Sequence, residues 1–574
     1  MLSFRYSPPI PRIQPLRLGD GFILLSLAAL LYAGTRLAFH APSVVVGPDL
    51  SLELGALPWY SLLSTARMLA AYALSLTFSL GYGYVAARSH RAEKVLLPLL
   101  DVLQSIPILS FLPVVVLGLS ALLPQRIAVE LAAVVLIFTS QAWNLTFSFY
   151  QSLTTEPLEL REVASIFRLN GWLRFKALEL PVAALGLVWN SMMSWAGGWF
   201  FLMAAEIFHV GARDFRLPGL GSYLQLAANR GDTRAILMGL IALVTVIVLL
   251  DQFVWRPLLV WSDRFKLETV QAAEPPRSWF FDLISRSWLI DRFQSRMWEP
   301  WNDRLDGFLG RRLGVGARQV EGTASEQLRM PLMVLAGLLG AAALYGAYRA
   351  ALLLADLPLA GWSQIGLGTV ATLARVSVAL LVTLLWTVPV GVAIGTNRRL
   401  AEILQPLVQV IASIPATAIF PVLLLVLLRA PGGLNTVSIL LMLMGTQWYL
   451  LFNVIAGAAA IPQDLRDTTD LLRLPRWQRW RTLLLPALFP YLVTGSITAS
   501  GGAWNASIVA EHVEFAGRIH TTLGAGALIA GATGDANYPL LLGATLTLVM
   551  TVVLINRRLW RRLYRLAEER YRME

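Results

Sequence analysis

Few residues in this chain could make or break a bond. There is no cysteine and the five histidines are scattered, which excludes disulfides and thiolate metal sites and leaves no metal centre to expect. The three lysines stand as Glu-Lys94-Val, Phe-Lys176-Ala and Phe-Lys266-Leu. None has the Gly-Lys-Ser/Thr context that cradles a nucleotide phosphate, so the usual ATPase site is missing from this polypeptide. No cluster of His or paired carboxylates falls in the apolar stretches, which argues against a membrane enzyme. The residues that remain suit recognition. One group joins an acid, arginines and aromatics in two polar segments: Arg161, Glu162, Ala164, Arg168, Gly171, Trp172, Phe175 and Pro181, then Arg466, Asp467, Arg473, Trp477, Trp480 and Pro486. Another is a sparse set of amides inside apolar stretches: Gln104, Gln141, Asn144, Asn190, Gln447, Asn453 and Asn505.

The elements that must position these groups are membrane helices. Of 574 residues 56% are hydrophobic and only 14% charged, against about 25% charged in soluble domains. Long apolar blocks alternate with short Arg-rich ones, the pattern of an all-α polytopic membrane protein. Candidate spans fall at 21–39, 64–87, 95–121, 127–149, 183–207 and 236–257, then at 330–354, 370–395, 403–428, 435–461, 487–511 and 538–558. The first follows Arg5, Arg12 and Arg17 and resembles a signal peptide with a cut near Ala41, but its length favours a retained span. Arg88, Arg91, Lys94, the 153–181 loop, the 258–329 segment, Arg398, Arg399 and the tail from Arg557 share one side, whereas the 40–63 loop has no Lys or Arg. That places both termini in the cytoplasm. Loops 208–235 and 512–537 are then external, although four arginines make the first an imperfect fit. The net charge of +12 is explained by loops facing anionic lipid, with no nucleic acid partner. The expected division is 1–257, a cytoplasmic or interfacial linker over 258–329 carrying Trp279, Phe280, Phe281, Trp288, Trp298 and Trp301, and 330–574 with a basic tail.

The two sets of spans are copies. Ser105-Ile-Pro107 with Pro113 recurs as Ser413-Ile-Pro415 with Pro421 at an offset of 308, and Thr65-Ala-Arg67 recurs as Leu373-Ala-Arg375. Leu160-Arg161-Glu162, Trp172 and Leu180-Pro181 recur as Leu465-Arg466-Asp467, Trp477 and Leu485-Pro486 at 305, and Gly197-Gly198 as Gly501-Gly502 at 304. Six spans separate equivalent points, so the halves run parallel in topology.

The polar segment between the fourth and fifth spans of each half resembles the EAA loop of binding-protein-dependent ABC importer permeases of the type I class. Glu162, Ala164, Trp172, Phe175 and Pro181 fall on that spacing. The chain departs from it in two ways: Arg168 and Arg473 stand where the motif has Gly (Gly171 follows three residues later), and Asp467-Thr-Thr replaces Glu-Ala-Ala. Trp189-Asn190, Gly197-Gly198-Trp199 to Glu206 and Gly501-Gly502 to Glu511 extend the resemblance to the duplicated nitrate, sulfonate, taurine and bicarbonate group. The resemblance implies that each loop is a coupling helix docking on a separate ATPase subunit. An acid in its first turn would suit the helix N-terminus, Arg could pair with acidic groove residues, and Trp would supply contact area. It implies two ABC ATPase subunits carrying ATP-Mg, no cofactor in this chain, an external solute-binding protein and an inner-membrane location. The expected activity is ATP-driven import of a small solute, an anion by the group resembled.

Further expectations follow from polar and helix-breaking residues within the spans. Pro107, Pro113, Pro415 and Pro421 should interrupt the third and ninth spans, where kinks could gate. The seven amides are candidates for the translocation path, in competition with helix–helix bonding. Glu206 and Glu511, each seven residues before an arginine (Arg213, Arg518), suggest an external latch. The rival function is a secondary transporter driven by an ion gradient, which parallel six-span halves also fit.

Overall fold

The computed structural model describes residues 18–39, 45–104, 106–167, 169–210, 213–265, 278–287, 299–313, 324–427, 431–515 and 518–570, with isolated positions 42, 292, 295 and 296. Arg5, Arg12, Arg17, Ala41, Ser105, Arg168, Lys266, Trp288 and Trp298 lie outside the described residues.

The first half runs α1 (Leu18–Ala38), α2 (Leu57–Arg88), α3 (His90–Gln104), α4 (Leu112–Leu122), α5 (Gln125–Thr154), α6 (Leu158–Ile166), α7 (Gly171–Arg174), α8 (Leu180–Glu206), strands β1 (His209–Val210) and β2 (Arg213–Asp214), α9 (Leu220–Asn229) and α10 (Thr233–Leu250). Helices α11 (Arg256–Asp263), α12 (Trp279–Ser285) and α13 (Glu299–Leu313) follow. The order then repeats as α14 (Ala324–Ala355), α15 (Leu359–Thr396), α16 (Arg398–Ala412), α17 (Ala416–Leu427), α18 (Leu434–Ala459), α19 (Gln463–Leu471), α20 (Arg476–Arg479) and α21 (Leu485–Ala510). Strands β3 (His512–Phe515) and β4 (Arg518–Thr521), α22 (Ala525–Gly534), α23 (Tyr538–Ile555) and α24 (Arg561–Arg570) complete it. Among the described residues, seven helices are long and apolar enough to cross a membrane, with five shorter apolar helices beside them. The protein is an all-α, multi-pass membrane protein.

Two of the twelve expected spans are not single helices. The 95–121 stretch leaves helical geometry before Pro107, makes a short turn at Ile108–Phe111 and restarts as α4. Pro113 sits in the first turn of α4, where it costs no hydrogen bond. The 403–428 stretch breaks likewise between α16 and α17, with Pro421 inside α17. Eleven residues of α4 rise only about 16 Å, half a hydrocarbon core. The 208–235 and 512–537 loops are not irregular either. Each holds an antiparallel hairpin and a short helix, α9 or α22.

The core of each half is a helix trio, α2–α5–α8 and α15–α18–α21. The buried stripe of α2 is built from Ser64, Arg67, Ala71, Ser75, Ser79 and Gly83, and that of α15 from Thr372, Arg375, Ala379, Thr383, Thr387 and Gly391 at the same spacing. Small residues let backbones approach: a Cβ on Gly83 would come within 2.9 Å of the Phe149 ring, and one on Gly391 within 2.7 Å of Val454. The hydroxyls bond across the gap, Ser79 Oγ donating to the Ala142 carbonyl at 3.0 Å. The halves also join directly, as α1 packs along α14 and the Tyr538 hydroxyl donates to the Ala38 carbonyl at 2.9 Å. Single π-helical turns at Phe175–Glu179, Asp251–Trp255, Trp480–Leu484 and Asn556–Trp560 repeat at an offset of 305 residues.

Candidate coupling loops and translocation path

Each loop between the fourth and fifth span positions folds as two short helices that lead into a long one. Helix α6 is followed by α7, and a π-helical turn carries the chain into α8; α19, α20 and α21 repeat this. Buried small residues seat the first helix of each pair, Ala164 and its equivalent Thr469. Glu162 and Asp467 are exposed and stand in the second turn; the first-turn acids are Glu159 and Asp464, so the expected N-terminal acid is one turn earlier. Pro181 and Pro486 open α8 and α21 in positions that proline tolerates.

The turn between the paired helices explains the motif's glycine. Arg473 has φ +46°, in the left-handed region. Its N–H donates to the Asp470 carbonyl at 3.0 Å, and the next N–H, of Leu474, donates to the Thr469 carbonyl at 3.2 Å, which is a Schellman closure. Leu169 N–H makes the matching bond to the Ala164 carbonyl at 3.1 Å. After the first turn, Asn170 caps α7 by accepting from Leu173 N–H at 2.8 Å, ahead of Gly171. The side chain of Arg161, like Arg168, is outside the described set.

The loops are anchored differently. In the first, Glu179 is buried and pairs with Arg88 and with Arg174 at 3.0 Å, while Arg174 also reaches buried Glu156 at 3.6 Å. The positions equivalent to Glu156 and Glu179 are the buried apolar residues Ile461 and Leu484, and Arg479 turns outward to Asp470 at 2.7 Å. Phe175 packs edge-on to Tyr84 and Phe149, and Trp480 packs into the matching apolar cluster. Arg466 donates to the Ala458 carbonyl at 2.5 Å, closing the end of α18.

Trp172 and Trp477 have different fates. Trp477 is 72% exposed, whereas Trp172 donates its indole N–H to Asp306 of α13 at 2.8 Å. Lys176 reinforces this through Asp306 at 2.6 Å and Asn302 at 2.7 Å. The lysine, then the indole, hold the Asp306 carboxyl below the usual carboxylate range. A further pair went unnoticed in the sequence. Ile166 and Phe167 are 75% and 72% exposed, and Leu471 and Leu472 at the equivalent positions are 85% and 65% exposed. Two exposed apolar residues thus recur at one register on both loops, the kind of surface that marks a contact site.

Inside the bundle, most candidate path residues serve helix packing. Gln141 is fully buried against Ser75 and Met68, and Gln447 is also buried. Asn190 and Asn453 donate back to carbonyls of their own helices at 3.0 and 2.8 Å. Asn505 does the same to Gly501, but its Oδ1 also accepts from Leu109 N–H of the other half at 3.2 Å. The Thr417 hydroxyl reaches the Phe200 carbonyl at 3.5 Å in the reciprocal contact, so the break after each Pro107 or Pro415 lies against the long helix of the opposite half. Asn144 is exposed, as is Gln104. Its equivalent, Tyr449, brings its hydroxyl to 3.0 Å from where a Gly197 Cβ would stand, across the boundary between halves. Tyr449 was legible as the residue 305 positions after Asn144.

At the far ends of α8 and α21 the expected latch has another partner. Glu206 is buried and pairs with Arg67 at 2.9 Å, and Glu511 is buried and pairs with Arg375 at 2.7 Å, in place of Arg213 and Arg518. Each carboxylate also accepts from the first turn of the following short helix, Gly221 N–H at 2.7 Å and Gly526 N–H at 2.9 Å. Ser64 and Thr372 hydroxyls donate at 2.6 and 2.7 Å. A Cβ at Gly219 or Gly524 would overlap the carboxylate, which is why glycine precedes both helices.

Two helical bundles of the same element order, with matched loops on one face and matched buried carboxylates near the other, define a duplicated membrane-transport component. The family of binding-protein-dependent transport system inner membrane components matches residues 79–254 and 387–571, and the chain belongs to it, with two tandem copies. It is 30% identical over 147 residues to the nitrate import permease protein NrtB of Synechocystis sp., covering 26% of this chain and 52% of that protein. It is 31% identical over 145 residues to the bicarbonate transport system permease protein CmpB of Synechococcus elongatus (25% and 51% covered). To the taurine transport system permease protein TauC of Escherichia coli it is 28% identical over 141 residues (25% and 50% covered). The chain spans about half the length of the curated relatives it matches.

Proposed function

We propose that this chain is the membrane permease of an ATP-driven importer, supplying both halves of the path and coupling to two separate ATPase subunits through its loops at 158–179 and 463–484. The carrying observation is the recurrence of exposed Ile166-Phe167 and Leu471-Leu472 on identically folded loops within a family of binding-protein-dependent transport components. Each loop would dock that apolar pair in an ATPase groove, with Glu162 or Asp467 and Arg473 at the rim. ATP-Mg would sit on those subunits, and an external binding protein would deliver solute at the hairpin face. The three relatives' names support a small anion as cargo. The chain would lie in the cytoplasmic membrane, termini inward, divided as 1–257, 258–329 and 330–574. The breaks at Pro107 and Pro415 sit where the halves meet, which supports a gating role for them, and Asn144, Tyr449 and Asn505 are the favoured path residues.

Reconstitution in liposomes with the ATPase subunits and binding protein tests this, with nitrate, bicarbonate and taurine presented separately. Uptake of one probe should require ATP. Ile166→Asp with Phe167→Asp should release an ATPase subunit while the permease stays in the membrane. Uptake indifferent to ATP and abolished by an ionophore would overturn the proposal in favour of an ion-gradient carrier.

A further inference from the structure

His209 of the first hairpin contacts Glu514 of the second, side chain to side chain. These two residues are equivalents, 305 positions apart in the repeat. Two equivalent residues that touch each other must stand beside the axis relating the halves. The contact is therefore on the pseudo-twofold axis. It is also at the end of α8 and α21 opposite the coupling loops, because α8 runs 27 residues, about 40 Å, between the two features.

Each hairpin reaches across this axis while staying attached to its own half. Strand β1 packs on α22 of the second half and β2 bridges to Val45 of its own, and β3 packs on α9 of the first half as well as on α21 and α22 of its own. Phe515 and Val513 are buried in the cluster containing Tyr223 and Leu224, and Phe215 is buried in the cluster containing Ala525 and Ile529. Gln225 of α9 donates to the Glu514 carbonyl at 2.8 Å, fixing the strand that presents the carboxylate. The halves cannot separate at this face without breaking the His209–Glu514 contact and the packing of β1 on α22 and of β3 on α9.

We propose that the His209–Glu514 pair and the hairpins that carry it are the outer gate of the translocation path, closed in this conformation. The proposal rests on the permease reading, which puts the path on the axis between the halves. Solute delivered from outside would reach the Asn144–Tyr449 level only after the pair parts. The contact is polar and partly solvated, so water and ions can replace each partner when it opens, whereas an apolar seal would have to expose its surface.

The natural absence of cysteine permits a clean test. His209→Cys and Glu514→Cys are introduced together with Asn144→Cys, and the outer pair is bridged by a short bifunctional methanethiosulfonate that a reductant removes. With ATPase subunits, binding protein and ATP present, a membrane-impermeant maleimide applied outside should label Cys at 144 before bridging. Labelling should be lost when the bridge forms and return on reduction. Uptake of the probe anion by the His209→Cys, Glu514→Cys variant should follow the same course, while the cysteine-free protein is unaffected by the reagent. Failure of the outer pair to bridge in the resting complex, or undiminished labelling behind a complete bridge, would overturn the gate. Absent ATP-dependent uptake by the cysteine-free protein would count against the permease reading instead, and the labelling result would still decide the gate.

Discussion

At the scale of single residues, the buried arginine–carboxylate pairs set the architecture of one face. Arg67 holds Glu206 and Glu130, the latter through two bonds of 2.6 and 2.7 Å, and also donates to the Pro218 carbonyl at 2.9 Å. Arg67→Ala would leave a buried carboxylate unpaired, which costs about 3–5 kcal/mol. The expected result is a large fall in thermal stability in detergent, with Arg375→Ala acting likewise on the second half. Glu206→Gln, which keeps a hydrogen-bonding amide in place, should lower stability less. Sequence spacing pointed Glu206 to Arg213, seven residues on, because proximity along the chain is the only distance a sequence displays. The better signal was already in the repeat: an arginine in an apolar span, recurring as Arg375, needs a buried partner. Arg473 makes a smaller case. Its left-handed conformation costs roughly 1 kcal/mol in a residue with a Cβ. Glycine would relieve that but add freedom to the unfolded chain. Arg473→Gly should therefore match or slightly exceed the parent in melting temperature, and Arg473→Val should fall below it.

At the scale of elements, the long helices and their repeat were legible, and the broken and short ones were not. Apolar run length cannot distinguish one crossing helix from α3 plus α4, because both have similar composition. Pro107 and Pro415 marked the breaks, but reading them as kinks assumed that the helix continued. The hairpins were hidden in loops because strands of two to four residues leave no periodicity to detect. The most consequential element is α13, which the sequence placed in a linker and the fold places on the loop at 158–179. Asp306→Ala removes the acceptor for both Trp172 and Lys176. Hydrogen exchange, corrected for intrinsic rates, should rise in 299–313 and 171–176 and stay unchanged in 476–481. The contact should be insensitive to mild acid. A carboxyl whose folded pKa is depressed contributes its full stability above the unfolded value of about 3.9 and loses it only as pH falls through the lower folded value. Protection of α13 should thus be flat from about pH 8 to about pH 5.

At the scale of the whole molecule, duplication within one chain has let the halves diverge at the face proposed to meet the ATPases. Identical subunits would be forced to keep identical loops; a fused pair is not. The first loop is braced by a buried ion cluster around Glu179 and overlaid by α13 at Trp172, and the second is braced by apolar packing and leaves Trp477 open. The departures from the family motif run the other way, since the second loop has lost Glu-Ala-Ala and the first has kept its acid and alanine. Motif content and accessibility are therefore opposed. An ATPase subunit docking as proposed would meet a bare helix pair at loop two and, at loop one, the flank of α13 as well. Single-loop variants separate these contributions. Leu471→Asp with Leu472→Asp removes most of the apolar contact at the open loop, while Ile166→Asp with Phe167→Asp leaves Trp172 and α13 in place. Native mass spectrometry of the assembled complex should show two ATPase subunits on the parent, one on either variant and none on the combination. At limiting ATPase concentration the second-loop variant, whose remaining subunit rests on loop one and the flank of α13, should retain it better than the first-loop variant. Equal titration curves would mean that α13 leaves the loop on assembly and that the asymmetry belongs to the free permease alone.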